Sequence, residues 1–237
     1  MGRSITLSSS LWSRRPGPLP LGGYAGCAIL TAALVAGFAT GRVPFGWQET
    51  LGFTAGVWGV WLQVRESHWN WPVQLVSSAV YVIVFFQARL FADTTLNVLY
   101  VVLYALGWYW WLRGGTNQGR LQIGRVRWRL AVVLVAVEVA GTAGMTAFLT
   151  AVHDSAPLLD ALTTVTSLIA LFLMARKLFE AWWVWIAVNL VYVGLYVTRD
   201  LYLTALLYAI FAALSVVGLQ QWRRLLAVRP PREAAAG

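Results

Sequence analysis

The sequence is poor in charge, in cysteine and in histidine, and each shortage narrows what the protein can be. Only 11 % of its 237 residues are charged, whereas a soluble domain carries about a quarter. A single cysteine, Cys27, excludes an internal disulfide framework. The two histidines, His68 and His153, lie far apart and do not suggest a metal site. No nucleophile–base pair, zinc-binding motif or phosphate-cradling glycine loop is visible, so we expect neither an enzyme nor a bound cofactor.

Apolar residues, by contrast, make up 59 % of the chain and occur in blocks that can cross a hydrocarbon core of about 30 Å. Because lipid offers no hydrogen bonds to the backbone, such blocks should be helical. We predict an all-α integral membrane protein with eight transmembrane helices, at 24–41, 46–64, 71–88, 94–112, 130–150, 157–175, 182–198 and 201–221. Tails at 1–23 and 224–237 flank them. The first block could instead belong to a cleaved signal sequence, since Arg14 and Arg15 precede it.

Basic residues are unevenly distributed between alternate connections, and this predicts the orientation. With eight spans, one side holds only three of the 18 Lys and Arg residues, namely Arg42, Arg89 and Arg199. The other fifteen lie in the tails and in the connections near 65–70, 113–129 and 176–181. Because basic connections stay on the cytoplasmic side, both termini should be cytoplasmic. This asymmetry also explains the net charge of +9 without a nucleic-acid partner.

Residues 46–112 reappear, without a gap, as residues 157–223. Corresponding residues are 111 positions apart, and the matches include Trp71 and Trp182, Tyr81 and Tyr192, Gly107 and Gly218, and Trp111 and Trp222. Each copy would contain three helices, and the linking helix at 130–150 would make the two copies parallel. With the accessory helix at 24–41, the predicted architecture is one helix followed by a 3+1+3 bundle. Two similar halves enclosing a path are typical of a solute transporter.

The middle helix of each copy carries aromatic and polar residues on one face. At spacings of three and four residues this face holds Trp71, Gln74, Ser78 and Tyr81 in the first copy, and Trp182, Trp185, Asn189 and Tyr192 in the second. Such a face suits a planar ligand that stacks on rings and bonds to amides. The alternative is that the polar groups only join helices and that Trp71 and Trp182 lie at the membrane interface.

The third helix of each copy adds a second stripe. Asn97 and Tyr208, which correspond in the repeat, lie within their spans and could line the same cavity. Tyr100 and Tyr104 are better interpreted as core packing.

Three acidic residues are candidates for a gate or for ion coupling. Glu49 and Asp160 each begin the first helix of a copy, where they could attract cations or simply stabilise the helix dipole. Glu138 lies in the middle of the linking helix, and a carboxylate within the membrane is a functional hypothesis by default. It could permit proton coupling, but a structural hydrogen bond is the favoured interpretation because it lies outside the repeats.

Several ordered stretches resemble the PnuC family of nicotinamide riboside transporters. They are Trp69-Asn70-Trp71-Pro72, Phe85-Phe86-Gln87-Ala88-Arg89-Leu90-Phe91-Ala92-Asp93 and Tyr104-Ala105-Leu106-Gly107-Trp108-Tyr109-Trp110-Trp111 in the first half, and Trp182-x-x-Trp185-x-x-x-Asn189, Leu201-Tyr202-Leu203-Thr204-Ala205-Leu206-Leu207-Tyr208 and Gly218-x-x-x-Trp222 in the second. The resemblance covers about 46–224 and is more specific for the family than for the cargo.

The resemblance implies a fold like a full-length SWEET sugar transporter, assembled as a homotrimer with a separate path through each protomer. It implies uptake of phosphate-free vitamin precursors, mainly nicotinamide riboside, by facilitated diffusion, with a cytosolic kinase trapping the product. The family's site lies between the halves. Carried over to this sequence, it comprises Trp182, Trp185, Asn189 and Tyr208, with Gln74, Ser78 and Asn97 opposite.

The sequence therefore predicts a uniporter for nicotinamide riboside in a bacterial inner membrane. A close alternative is a transporter of thiamine or another flat B vitamin. The rival from another class is a non-transporting membrane scaffold or sensor, although no soluble domain or signalling tail is visible.

Overall fold

The computed structural model describes residues 22–42, 47–87, 91–115, 121–153, 156–198 and 202–228. These residues form eight α-helices: α1 (Gly22–Ala39), α2 (Trp47–Val64), α3 (Asn70–Gln87), α4 (Phe91–Arg113), α5 (Trp128–Ala151), α6 (Pro157–Ala175), α7 (Ala181–Thr198) and α8 (Tyr202–Val228). The eight helices predicted from the sequence are therefore confirmed as helices. The predicted tail up to residue 21 lies outside the described residues.

One boundary was wrong. The sequence placed the end of the last helix at 221 and assigned 224–237 to a tail, but α8 continues to Val228. Its extra turns contain Arg223 and Arg224, both exposed. The length of an apolar block reports where hydrocarbon ends, whereas a helix continues until its backbone is interrupted. The rest of that tail, from residue 229, lies outside the described residues.

Four of the described helical segments are long and apolar enough to cross a membrane, namely Trp128–Ala151, Pro157–Ala175, Ala181–Thr198 and Ala205–Ala227. They differ in how much protein surrounds them, since the apolar window of α5 is only 6 % buried and that of α6 is 56 % buried. α5 therefore turns most of its valine-rich surface away from the other helices, as lipid contact requires.

The helices pack as two triplets that meet along two seams. Within one triplet α2 contacts α3 and α3 contacts α4, and within the other α6 contacts α7 and α7 contacts α8. The seams join α2 to α8 and α4 to α6. α1 packs on α2, and α5 packs on α6.

Corresponding residues of the two triplets have matching surroundings. A Cβ placed on Gly107 would meet the ring of Trp71 at 2.5 Å, and one placed on Gly218 would meet Trp182 at the same distance. Each tryptophan can lie against the next helix only because that helix has no side chain there. The turns after α2 and α6 also match, because Glu66 and Lys177 adopt left-handed backbone conformations with φ of 53° and 55°.

The connection before α5 crosses to the other triplet. Gly124 forms an isolated parallel β-bridge with Leu178, and its N–H and C=O bond to the Lys177 carbonyl and the Phe179 N–H at 3.0 and 2.9 Å. We call residues 121–127 the strap. It ties the end of α4 to the turn between α6 and α7.

Candidate functional site

A cavity of about 470 Å³ lies between the two triplets. Its wall is built from six helices, and the described residues of α1 and α5 contribute nothing to it. The wall consists of Gly52, Phe53, Gly56, Val60, Gln63, Gln74, Tyr81, Tyr100, Tyr104, Ser167, Leu171, Trp182, Trp185, Asn189, Tyr192, Leu207, Tyr208, Phe211 and Ser215. A volume of this size falls within the range of about 300–1,000 Å³ that is usual for small-molecule sites.

Helix α7 supplies the longest continuous face of this wall. Trp182, Trp185, Asn189 and Tyr192 follow one another at spacings of three and four residues, so all four project into the cavity. The indole N–H groups of Trp182 and Trp185 are buried and find no acceptor among the described residues. An unsatisfied buried donor is costly. Neither indole nitrogen is accessible from the cavity in this structure, so a hydrogen bond to a ligand would require the rings to move.

Amides and hydroxyls supply the remaining polar groups of the wall. Gln63, Asn189 and Ser215 are buried in the protein yet border the cavity, and Gln74 faces it from α3. The side chain of Gln63 donates to Oδ1 of Asn70 at 3.4 Å. These groups can donate and accept, and they can therefore bond both an amide and a sugar hydroxyl.

Tyrosines form the part of the wall contributed by the C-terminal half of α7 and by α8. The rings of Tyr192 and Tyr208 lie 4.6 Å apart between centroids, and Tyr196 stacks on Tyr208 at 5.2 Å with an interplanar angle of 22°. Phe211 meets Tyr208 edge to face at 5.9 Å. Such a cluster offers flat apolar faces with hydroxyls at their rims, which suits a planar ring.

None of the described residues that border the cavity carries a formal charge. A phosphate group enclosed there would have to leave water without a cationic partner, which is strongly unfavourable. A single positive charge delocalised over an aromatic ring is tolerated far better, because the faces of tryptophan and tyrosine attract cations.

The structure brings together five of the eight residues expected in the site. Gln74, Trp182, Trp185, Asn189 and Tyr208 all border the cavity.

The other three expected residues, Trp71, Ser78 and Asn97, do not border it. Trp71 is fully buried one layer further out, between Gly107 and the rings of Tyr104 and Trp111. Ser78 is buried and Asn97 is half-buried. Their counterparts in the second copy, Trp182, Asn189 and Tyr208, all reach the cavity, so the cavity is displaced from the middle of the repeat.

Sequence reasoning missed several wall residues. Tyr100 and Tyr104 were interpreted as core packing, yet both border the cavity. Gln63 was not singled out, although an amide in the last turn of an apolar helix was a signal. Gly52 and Gly56 carry no side-chain signal, and only the packing of α2 shows that they belong to the wall.

The two acidic candidates whose side chains are described, Asp160 and Glu138, do not border the cavity. Asp160 lies in the first turn of α6, which fits the helix-dipole interpretation. The side chain of Glu49, in the first turn of α2, lies outside the described residues. Glu138 accepts hydrogen bonds from the hydroxyls of Thr166 on α6, at 2.9 Å, and of Thr142 on its own helix, at 3.3 Å. This geometry fits the structural role favoured for Glu138. Within the described residues no cluster of His, Cys, Asp or Glu could hold a metal ion.

Comparison with known proteins gives a family match across most of the chain. The family model described as nicotinamide mononucleotide transporter matches residues 46–224, which is the same stretch that the sequence motifs cover.

Individual relatives agree in class and differ in cargo. The chain is 27 % identical over 210 residues to the nicotinamide riboside transporter PnuC of Escherichia coli K12, covering 77 % of this chain and 87 % of that one. It is 29 % identical over 181 residues to the riboflavin/roseoflavin transporter RibM of Streptomyces davaonensis, covering 74 % and 84 %. Among solved structures, the crystal structure of a vitamin B3 transporter PnuC matches with a TM-score of 0.68 at 23 % identity, over 89 % of this chain and 94 % of that one. That likeness establishes the fold.

Proposed function

Because the chain belongs to the PnuC-type nicotinamide mononucleotide transporter family, a family of multi-pass membrane transporters and not of enzymes, we propose that it imports nicotinamide riboside. The observation that carries the proposal is the uncharged cavity between the triplets, lined by tryptophans, tyrosines and amides. Nicotinamide riboside consists of a flat cationic ring, an amide and a sugar without phosphate. Each of these parts has a chemical counterpart in the wall.

The nicotinamide ring would stack against Trp185, where the face of the indole attracts its positive charge, while the fully buried Trp182 supports this part of the wall. The carboxamide and the ribose hydroxyls would bond Asn189, Gln74 and Gln63. The absence of charge from the wall favours the nucleoside over its phosphorylated form.

All eight helices would cross the bilayer, with α2–α4 and α6–α8 as parallel repeats, α5 linking them and α1 accessory. The matched surroundings of Trp71 and Trp182 support this arrangement. The substrate path would open alternately to either side as the repeats rock, by facilitated diffusion without an ion motor. Both termini would face the cytoplasm of a bacterial cell, three copies would assemble in the inner membrane, and a cytosolic kinase would trap the product.

Uptake by purified protein in liposomes tests the proposal directly. Labelled nicotinamide riboside should enter the vesicles, and entry should fall at least about tenfold in Asn189→Ala, which removes a hydrogen-bonding group worth about 1–3 kcal/mol when buried. The matched control is Gly194→Ala on the same helix, where an added methyl would meet nothing within 4 Å. Failure of the unmodified protein to take up nicotinamide riboside would refute the proposal.

A flavin or thiamine is the second candidate cargo. The similarity to RibM favours a flavin, and a cavity of about 470 Å³ leaves room for a ring system larger than pyridine. Competition decides between them: excess unlabelled riboflavin or thiamine should leave the uptake of labelled nicotinamide riboside unchanged. Strong inhibition by either compound would transfer the assignment to it.

A further inference from the structure

Four buried tryptophans form a continuous row at the end of the bundle where α2, α4, α6 and α8 terminate. The order is Trp71, Trp111, Trp222 and Trp182, and each is at most 2 % exposed. The outer pairs are T-shaped with ring centroids 5.4 Å apart, at interplanar angles of 80° and 89°. The central pair, Trp111 and Trp222, lies 6.0 Å apart. Since Trp111 and Trp222 correspond in the repeat, as do Trp71 and Trp182, the two halves of the row are equivalent.

Hydrogen bonds cross between the triplets at the centre of this row. The indole N–H of Trp111 donates to the carbonyl of Met174 at 3.1 Å, and that of Trp222 donates to the carbonyl of Gln63 at 3.3 Å. Met174 and Gln63 also correspond in the repeat. Each triplet therefore inserts one tryptophan into the end of the other, and the two bonds must break together if the triplets separate at this end.

An ion pair lies next to the row. Nζ of Lys177 is 2.7 Å from Oε2 of Glu66, with both side chains largely buried. The same ammonium lies 4.5 Å from the ring centre of Trp111 and donates to the carbonyl of Leu121 at 3.1 Å. Glu66 and Lys177 occupy equivalent positions after α2 and α6, both with left-handed backbone. The ion pair thus joins the two triplets through equivalent positions of the repeat.

The row and the ion pair lie between the cavity and this end of the bundle. Trp182 and Gln63 border the cavity, and from Trp182 the contacts run through Trp222 and Trp111 to Lys177. A solute leaving the cavity toward this end by way of Trp182 would meet these side chains. This is also the end with most of the basic residues, hence the cytoplasmic end under the proposed orientation.

We propose that the tryptophan row, closed by the Glu66–Lys177 ion pair, is the cytoplasmic gate of the substrate path, shut in this structure. Release into the cytoplasm requires the ion pair to separate and Trp111 and Trp222 to give up their crossed hydrogen bonds. The proposal rests on the proposed transport function for its physiological meaning, although the gate itself is defined by these contacts.

The strap makes the two sides of the gate unequal. Its Leu121 N–H bonds the carbonyl of Trp111 at 3.2 Å, and Gly124 pairs with the backbone on either side of Leu178. Lys177 is therefore held by backbone and side-chain bonds alike, while Glu66 contacts it through its side chain.

Labelling of a thiol inside the cavity tests the gate without any substrate. In a Cys27→Ser background, Ser215→Cys places a reporter on the cavity wall. A membrane-impermeant maleimide would be applied to the cytoplasmic face of inside-out vesicles. Glu66→Gln and Lys177→Met should each raise the labelling rate by roughly tenfold, because a buried charge loses its partner and the closed state is weakened.

The matched control is Arg125→Gln, which removes a positive charge from the same end at an exposed pair with Glu180, 4.0 Å apart. It should leave the labelling rate unchanged. Exchanging the charges in Glu66→Lys with Lys177→Glu should lower the rate only part of the way to the parental value, because a carboxylate at position 177 cannot donate to the Leu121 carbonyl or bind the Trp111 ring as a cation. The gate proposal would be overturned if neither single variant raised the labelling rate, or if Arg125→Gln raised it equally.

Cross-linking gives an independent answer if a single variant does not fold. A cleavable thiol cross-linker joining Glu66→Cys to Lys177→Cys should hold reporter labelling at its background and stop uptake, and cleavage should restore both. Continued labelling through the cross-linked protein contradicts the gate whatever the cargo is. Labelling that follows the prediction without uptake of nicotinamide riboside would leave the gate standing and reject only the proposed cargo.

Discussion

At the scale of single residues, the width of the cavity depends on a glycine, which has no Cβ. A Cβ on Gly56 would lie 2.8 Å from Cζ of Phe211, which shows how closely that ring approaches α2. Both residues border the cavity. The wall on this side is therefore a phenyl ring resting directly on backbone, and its position is set by the absence of a side chain on the opposite helix.

Gly56→Ala should push the Phe211 ring into the cavity and lower the stability by about 1–3 kcal/mol, the usual cost of overpacking. A bulky vitamin such as riboflavin should lose binding before the smaller nicotinamide riboside does. Thermal stabilisation of the purified protein by each compound measures the order of loss. Gly144→Ala on α5, where a methyl would meet nothing within 4 Å, is the control and should leave stabilisation unchanged. Equal loss for both compounds would show that Phe211 does not limit width.

Spacing along a helix predicted part of the site, and packing decided the rest. Trp182, Trp185 and Asn189 share a face at any rotation of α7, so their grouping is readable from sequence. Their rotation toward the cavity is a property of the neighbours. The repeat suggested that Trp71 would behave like Trp182, yet it lies outside the wall against Tyr104. The repeat pattern in the sequence does not show which of the two copies places these residues in the cavity wall.

At the scale of helices, α5 and α6 are joined by a carboxylate in an apolar setting. Oε1 of Glu138 lies 2.9 Å from the Thr166 hydroxyl across the helix pair. That hydroxyl shares its single proton between Glu138 and the carbonyl of Leu162, which is 2.7 Å away. Because a glutamine oxygen accepts the same bond, the contact does not need a negative charge. The geometry supports a packing role for Glu138, which does not border the cavity.

Glu138→Gln should therefore take up the substrate at the rate of the unmodified protein. An imposed pH gradient should affect the uptake rate of both proteins in the same way. Glu138→Ala should lower the free energy of unfolding by about 1 kcal/mol through the lost hydrogen bond, with little change in transport. Uptake into liposomes at matched and unmatched internal pH gives the measurement. Abolished uptake in Glu138→Gln would contradict the packing role and restore proton coupling.

Helix positions were predictable because the bilayer fixes the length of each apolar block, and the starts all fall within three residues of those expected. The exception, the end of α8, marks the limit of that reasoning. Beyond Trp222 the composition turns basic, yet nothing in the chain interrupts the helix before Pro230. Hydropathy indicates whether a segment lies in lipid or in water, and it does not determine where a helix ends.

At the scale of the whole molecule, near symmetry and its violations have different roles. The crossed bonds of Trp111 and Trp222 repeat the same contact in both triplets at the proposed gate, whereas the strap binds the turn at Lys177. The cavity breaks that equivalence, since Asn189 borders it and its counterpart Ser78 does not. Two similar halves can rock against each other, while an asymmetric lining can hold an asymmetric ligand.

The distribution of basic residues makes the orientation of this frame testable. The outer side should hold only Arg42, Arg89 and Arg199, which puts the turn after α1 outside and the end of the chain inside. In a Cys27→Ser background, a thiol at Thr40→Cys, an exposed position, should react with impermeant maleimide in intact cells. A thiol at Ala235→Cys should react only after the membrane is opened. The two sites serve as controls for each other, because the reverse pattern inverts the topology and would move the tryptophan gate to the periplasmic end. Labelling of both sites from outside would mean an even number of spans between them, instead of the seven proposed.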